Sequence, residues 1–200
     1  MSEIAVYGAG SWGTALAVLL AEAGHKTNLI GRNPEKIEFI KSTRENKQYL
    51  PGIVLPDNLE ITSDLRQAAA EVVILSVPSQ SVRAAARLLK PYLGPGTVLV
   101  NTAKGLEEGT HLRLSQVIAE ELPAFPIAVL SGPSHAEEVV REMPTTVVSA
   151  SADLQIAEKV QDIMMTPLFR IYTNPDVIGV ELGGALKNVI ALCTGIAYGL

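Results

Sequence analysis

The 200-residue sequence predicts an α/β fold: a doubly wound, mostly parallel sheet with helices on both faces. Three observations predict it. An apolar start, Ile4-Ala5-Val6-Tyr7, runs through the glycine turn Gly8-Ala9-Gly10-Ser11-Trp12-Gly13 into a helix-like stretch, residues 14–20. Strand-like and helix-like segments then alternate at the spacing that joins parallel strands through crossover helices. Val72-Val73-Ile74-Leu75 is apolar on both faces, as a central parallel strand must be.

In the opening unit each glycine has a physical task. Gly8 makes the tight turn, Gly10 lets a pyrophosphate approach the backbone, and Gly13 lets the helix pack closely on the strand. The phosphates would lie against the first helical N–H groups, which lack intrahelical partners and sit at the positive end of the helix dipole. A merely structural glycine turn is the competing reading. With a strand before it and a helix after it, the turn reads as the dinucleotide site of a Rossmann-like fold.

The second strand, Lys26–Ile30, ends at Gly31-Arg32-Asn33, where an NAD site usually holds an acid for the ribose hydroxyls. No acid is there. The Arg32 fork suits a phosphate dianion, which favours NADP over NAD. An arginine solvated ahead of a helix start, or stacked on adenine without excluding NAD, is the alternative.

Asn33-Pro34 then starts a helix carrying Ile37, Phe39 and Ile40 and ending in polar residues 44–47. Residues 49–58 hold two prolines and no sustained period, so they form a long loop of the kind that often carries function. A short strand, Leu59–Thr62, leads to a helix capped near Ser63 or Asp64 and to the central strand. Helices are expected over 79–92, 112–122, 135–141 and 153–165, alternating with strands over 97–101, 127–130, 145–149 and 169–172.

From Asp176 onward the chain is apolar through Leu200, interrupted chiefly by Glu181 and Lys187. A helix that apolar needs burial on most sides, and no Gly-then-Pro or basic signal closes it. The simplest account is the first helix of an all-α C-terminal domain that is cut short, which divides the chain into residues 1–174 and 175–200. A partner subunit covering the helix, as in a homodimer, is the other account.

Bulk composition excludes several classes. Hydrophobic residues at 48% with 18% charged residues describe a packed chain. A net charge of −5 leaves no electrostatic footprint for nucleic acid. The single Cys193 forms no internal disulfide, and no Cys/His cluster has metal-ligand spacing. No basic-then-apolar leader precedes the first strand, and no uninterrupted apolar run has the length of a membrane span. The expectation is a soluble, cytoplasmic protein without a metal.

Open parallel sheets bind ligands beyond the carboxyl ends of their strands. Those ends read VPSQ at residues 77–80, NTAKGLE at 101–107 and LSGPSHAEEV at 130–139. With GAGSWGTALA at 8–17 and ELGGALKNVIAL at 181–192, the chain closely resembles the bacterial NAD(P)-dependent glycerol-3-phosphate dehydrogenases. Five motifs in order are far more specific than a glycine turn alone.

The resemblance implies reversible hydride transfer between sn-glycerol 3-phosphate and dihydroxyacetone phosphate, supplying glycerol 3-phosphate for phospholipid synthesis. It makes Lys187 the general base for the substrate hydroxyl and Lys104 a contact to both cofactor and substrate. It makes Gly132 and Ser134 substrate donors, and adds Ser11, Trp12, Ala136 and Tyr49 to the cofactor contacts. Read from the residues alone, Lys187 among Leu182, Ala185, Leu186, Val189 and Ile190 is partly desolvated, which lowers its pKa toward the range of a base. A lysine snorkelling at the rim of an apolar helix, a loop Lys104, a simple Gly132-Pro133 turn and a packing Trp12 are the plainer readings. His25, before a strand start, and His111, before a helix start, read as solvated, and His135, without a visible partner, is given no proton-transfer role. The family draws further substrate ligands, including an Arg-Asn pair for the phosphate, from a helical domain beyond these phrases, so this chain is expected to bind cofactor with weak turnover.

Two other readings stand beside it. One is a related β-hydroxyacid or 6-phosphogluconate-type dehydrogenase, against which the NTAKGLE and LSGPSHAEEV phrases weigh. The other is a nucleotide-binding sensor without chemistry, which has no need of Lys187.

Overall fold

The computed structural model describes residues 1–199. Eight strands form one sheet: β1 (Glu3–Tyr7), β2 (Lys26–Ile30), β3 (Leu59–Thr62), β4 (Val72–Leu75), β5 (Val98–Asn101), β6 (Ile127–Ser131), β7 (Thr145–Ala150) and β8 (Phe169–Asn174). Their order is β3-β2-β1-β4-β5-β6-β7-β8. The first six pair in parallel in the 3-2-1-4-5-6 order of the Rossmann fold. β7 runs antiparallel to β6, and β8 parallel to β7.

Side chains alternate across the sheet and both faces are buried. Ile4, Val6, Leu29, Ile74 and Val100 point to one face, where α1 (Ser11–Glu22) and α6 (Leu154–Met164) supply Leu16, Leu20, Val160 and Met164. Ala5, Tyr7, Val73, Leu75 and Leu99 point to the other, packed by Val82, Ala86 and Leu89 of α3 (Val82–Leu89) and Val117 and Ile118 of α4 (Leu114–Glu121). Each fully buried Leu, Ile or Val removes apolar surface worth about 1.5–3 kcal/mol from water. This two-sided burial is why the central strands lack a polar alternation.

α2 (Pro34–Thr43) begins as expected, with the Asn33 side chain accepting the Lys36 N–H. Ile37 and Ile40 are buried while Phe39 is 55% exposed, so only two of the three apolar positions share the core face. Three expectations need correction. The helix placed after Ser63 is only a 3₁₀ turn, Leu65–Ala68, whose N-cap is Asp64. The 79–92 segment is α-helical only over α3 and tightens to 3₁₀ at both ends, the second holding Pro91. The helix near 135–141 is a single turn, α5 (Ala136–Val139).

The final helix, α7 (Val177–Gly199), starts where the Asp176 carboxylate accepts the Gly179 N–H at 2.8 Å. By length and composition it is apolar enough to cross a membrane, with a mean hydropathy of 1.5, although Glu181 and Lys187 interrupt it. Its early turns lie on β6 and β7. Among the described residues Glu181 is its only buried one, held by Arg113 and Ser115. Leu186, Val189, Ile190 and Leu192 are exposed.

Candidate functional site

A cleft of about 880 Å³ opens at the carboxyl ends of β1, β2 and β4, where the strand order reverses. That switch point is where doubly wound sheets take their ligands. Tyr7, Gly8, Gly10 and Ser11 line it from the first turn, Arg32 from the end of β2, Ser76 to Pro78 from the end of β4, and Tyr49 from the long loop.

The glycine turn is shaped for a close-lying anion. Gly8 has φ +121°, and a Cβ there would collide with the Ser76 carbonyl. A Cβ on Gly13 would collide with the Gly8 carbonyl, so this glycine permits helix and turn to touch. Gly10 faces open space, with no atom within 4 Å of where its Cβ would stand. α1 has neither a side-chain cap nor an acid in its first turn, which leaves its leading N–H groups for a ligand. These features fit the pyrophosphate of a dinucleotide.

The loop reaches the turn through a residue the sequence reading missed. Asn46 is buried, and its Nδ2 donates to the Ala9 carbonyl at 3.1 Å and to Thr14 Oγ1 at 2.8 Å. Its own carbonyl accepts the N–H groups of Tyr49 and Leu50. Asn46 therefore joins the glycine turn to the loop that carries Tyr49. Its place at the polar end of a helix gave no sign of this, because its partners lie 32 and 37 residues away.

A smaller pocket of about 290 Å³ lies between Ser131-Gly132-Pro133 and α7, with Lys187 on its wall. Lys104 Nζ donates to the Gly132 carbonyl at 2.8 Å, bringing the β5 and β6 ends together. The half-buried Lys104 amine is pushed below the ordinary lysine range by burial first, and then by the nearby Lys187 charge. Ser134 Oγ is 3.5 Å from the Gly132 carbonyl, a long contact. Gln80, from the VPSQ phrase, clamps the Lys104 loop by donating to the Leu106 carbonyl and accepting the Glu108 N–H.

Three site expectations are placed differently by the structure. The Trp12 ring lies against the core, 6.4 Å from the Phe169 ring, and does not line the cleft. Ala136 is buried in the core as α5 packs on α1. Lys187 is exposed, because its neighbours Leu186, Val189 and Ile190 are themselves uncovered here. The desolvation expected for it is not supplied by these residues.

Residues 3–157 match the family model for the N-terminus of NAD-dependent glycerol-3-phosphate dehydrogenase, and residues 176–200 match the model for its C-terminus. The chain is 63% identical to glycerol-3-phosphate dehydrogenase [NAD(P)+] of Desulfitobacterium hafniense over 201 residues, covering all of this chain and 57% of that protein. It is 62% identical to the enzyme of the same name from Moorella thermoacetica, covering 99% of this chain and 59% of the relative. The crystal structure of glycerol-3-phosphate dehydrogenase from Coxiella burnetii superposes with a TM-score of 0.90 at 37% identity, over 98% of this chain and 61% of that one. The chain thus spans somewhat under two thirds of these relatives' length. With its glycine-turn cleft and its matched sequence in agreement, the chain belongs to the NAD-dependent glycerol-3-phosphate dehydrogenase family.

Proposed function

We propose that the protein carrying this chain interconverts sn-glycerol 3-phosphate and dihydroxyacetone phosphate in the cytosol, with NADPH preferred over NADH. The observation that carries the reading is the meeting of two lysines at Gly132: Lys104 bonds its carbonyl, Lys187 lines the pocket there, and the Lys187 charge is felt at the Lys104 amine. The names of the relatives support both substrate and cofactor. We divide the chain into a nucleotide-binding unit, residues 1–174, and the opening of a helical substrate domain, residues 175–200, in line with the gap between the two family matches.

A bound nicotinamide supplies or accepts the hydride. Lys187 accepts the proton of the substrate C2 hydroxyl as the hydride leaves C2, and in the reverse direction returns it to the carbonyl oxygen. Lys104, bonded to the Gly132 carbonyl at the pocket, offers donors to the oxygen on which negative charge develops. Gly132 and Ser134 orient the substrate from the end of β6. Ser11, at the start of α1, and Tyr49, across the cleft, would hold the cofactor; Trp12 would contribute only its backbone, and Ala136 acts from the core behind. Arg32, on the cleft lining, would take a ribose 2′-phosphate. The relatives extend beyond the length matched here, and we assign to that further length the cover over α7 and the desolvation of Lys187.

The test follows NADPH and NADH oxidation with dihydroxyacetone phosphate in the full-length protein and its Lys187→Ala variant. Turnover that falls by about 100-fold or more in the variant supports the reading. Tight NADPH binding without turnover in the unsubstituted protein overturns it and favours a sensor.

A further inference from the structure

Glu181 is a buried carboxylate that the proposed chemistry does not use. Its oxygens receive Arg113 Nη1 at 2.6 Å, the Ser115 N–H at 2.8 Å and Ser115 Oγ at 2.6 Å. It does not line the Gly132 pocket, so it touches no reacting atom there. A buried ion pair is seldom a better source of stability than apolar packing, and an apolar side chain at this position would also hold α7 to the body. What three directed bonds add is a defined rotation and height for the helix.

Both ends of this clasp lead to the two lysines. Arg113 pairs with Leu106 in an isolated bridge, and the Glu107 N–H bonds the Leu112 carbonyl at 2.9 Å, so the loop that follows Lys104 closes at Arg113. On the other side, Lys187 stands six residues after Glu181 on the same helix, about 9 Å along its axis. Between them Gly184 passes close to the sheet: a Cβ there would stand 2.6 Å from Ser131 Oγ and 3.6 Å from Lys104 Cγ. A small rotation of α7 would press this turn into Ser131 or lift it away, and would carry Lys187 with it.

We infer that Glu181 is a positioning residue: through Arg113 and Ser115 it sets where Lys187 stands relative to Lys104 and the Gly132 pocket. The inference rests on the reading of Lys187 as the proton-transfer group. The reach of one lysine toward the other agrees with it, since the Lys187 charge acts on the Lys104 amine.

The experiment measures kcat, KM and the NADPH dissociation constant of the full-length protein with Glu181→Ala, Glu181→Gln and Lys187→Ala. Misplacing a reacting group by about 1 Å lowers rate by up to about 100-fold, so Glu181→Ala is expected to lose about 10- to 100-fold in kcat with NADPH affinity within about twofold. Glu181→Gln keeps an acceptor for the Ser115 N–H but turns its NH2 toward Arg113, and is expected to recover only part of that loss. If Glu181→Ala does not fold, Ser115→Ala removes the two bonds of its hydroxyl, to Glu181 and from Arg113, and is expected to lower kcat at least about threefold, again at unchanged NADPH affinity. Turnover within about twofold of the parent in the folded Glu181 variant, or in Ser115→Ala where that variant does not fold, overturns the positioning role. So does a parallel loss of kcat and NADPH affinity. Full turnover in Lys187→Ala instead overturns the reading on which the inference rests.

Discussion

Asn46 Nδ2 lies 2.8 Å from Thr14 Oγ1, and both residues are buried. One amide thus spans from the loop after α2 to the first turn of α1, and its second bond holds the Ala9 carbonyl inside the glycine turn. Asn46→Ala leaves these acceptors without their donor, which costs about 1–3 kcal/mol of stability. NADPH affinity is expected to fall about tenfold, since turn and loop lose their common tie. Thr14→Val removes one of the two bonds and should fall between parent and Asn46→Ala. Fluorescence titration with NADPH and urea unfolding check both quantities.

The glycines of the turn separate stability from binding. Gly13→Ala drives a methyl into the Gly8 carbonyl, backbone that has little room to yield, and is expected to cost at least about 1–3 kcal/mol. Gly10→Ala meets open space and should cost less than about 1 kcal/mol at the helix N-cap. Its methyl projects toward the ligand side, so NADPH binding should weaken while the melting temperature barely moves. Equal effects of both substitutions on stability would contradict this account of the turn.

Arg32 is exposed at the lip of the cleft. Replacing it by Ala removes a charge-assisted contact to a 2′-phosphate, worth about 1.5–3 kcal/mol, and should weaken NADPH about 10- to 100-fold with little change for NADH. Parallel titrations with the two cofactors measure the ratio. A parallel loss for both would assign Arg32 to adenine stacking instead.

Stability should depend on acid through the cluster around Arg83. This guanidinium bonds both Glu107 oxygens at 2.7 Å and Glu121 at 2.6 Å, and Arg87 also holds Glu121. Hydrogen bonding to Arg83 leads in holding Glu107 at about 2, and bonding to Arg87 and then Arg83 does the same for Glu121. Because the folded values lie below the unfolded one, the stabilisation is complete above about pH 4.5 and is lost as pH falls toward about 2. Arg83→Gln should therefore be less stable than the parent near neutrality, and the gap should narrow steadily across that acid window. Urea unfolding at several pH values measures the gap.

Much of the architecture was legible because it is written in local patterns. The strand, glycine turn and helix at residues 4–20 appear as expected, as do the all-apolar β4 and the Asn33 cap of α2. Arg32 and Tyr49 reach the cleft from elements whose order alone puts them at the carboxyl edge. Where local signals were weak, the reading overran: Asp64 caps only a 3₁₀ turn, and the His135 segment forms one helical turn before Glu142 takes φ +55°.

Periodicity and glycine placement record what each residue requires of its immediate neighbours, and from them the mostly parallel α/β class, the glycine turn and the apolar last helix all follow. Contacts between segments carry no such local signature. Trp12 turns to Phe169, Asn46 to Thr14 and Glu181 to Arg113, and each pairing arises only when the sheet brings distant segments to one edge. Hydrogen bonds and ring contacts act over a few ångströms of space, whatever the separation along the chain, so folding alone decided which polar groups became partners.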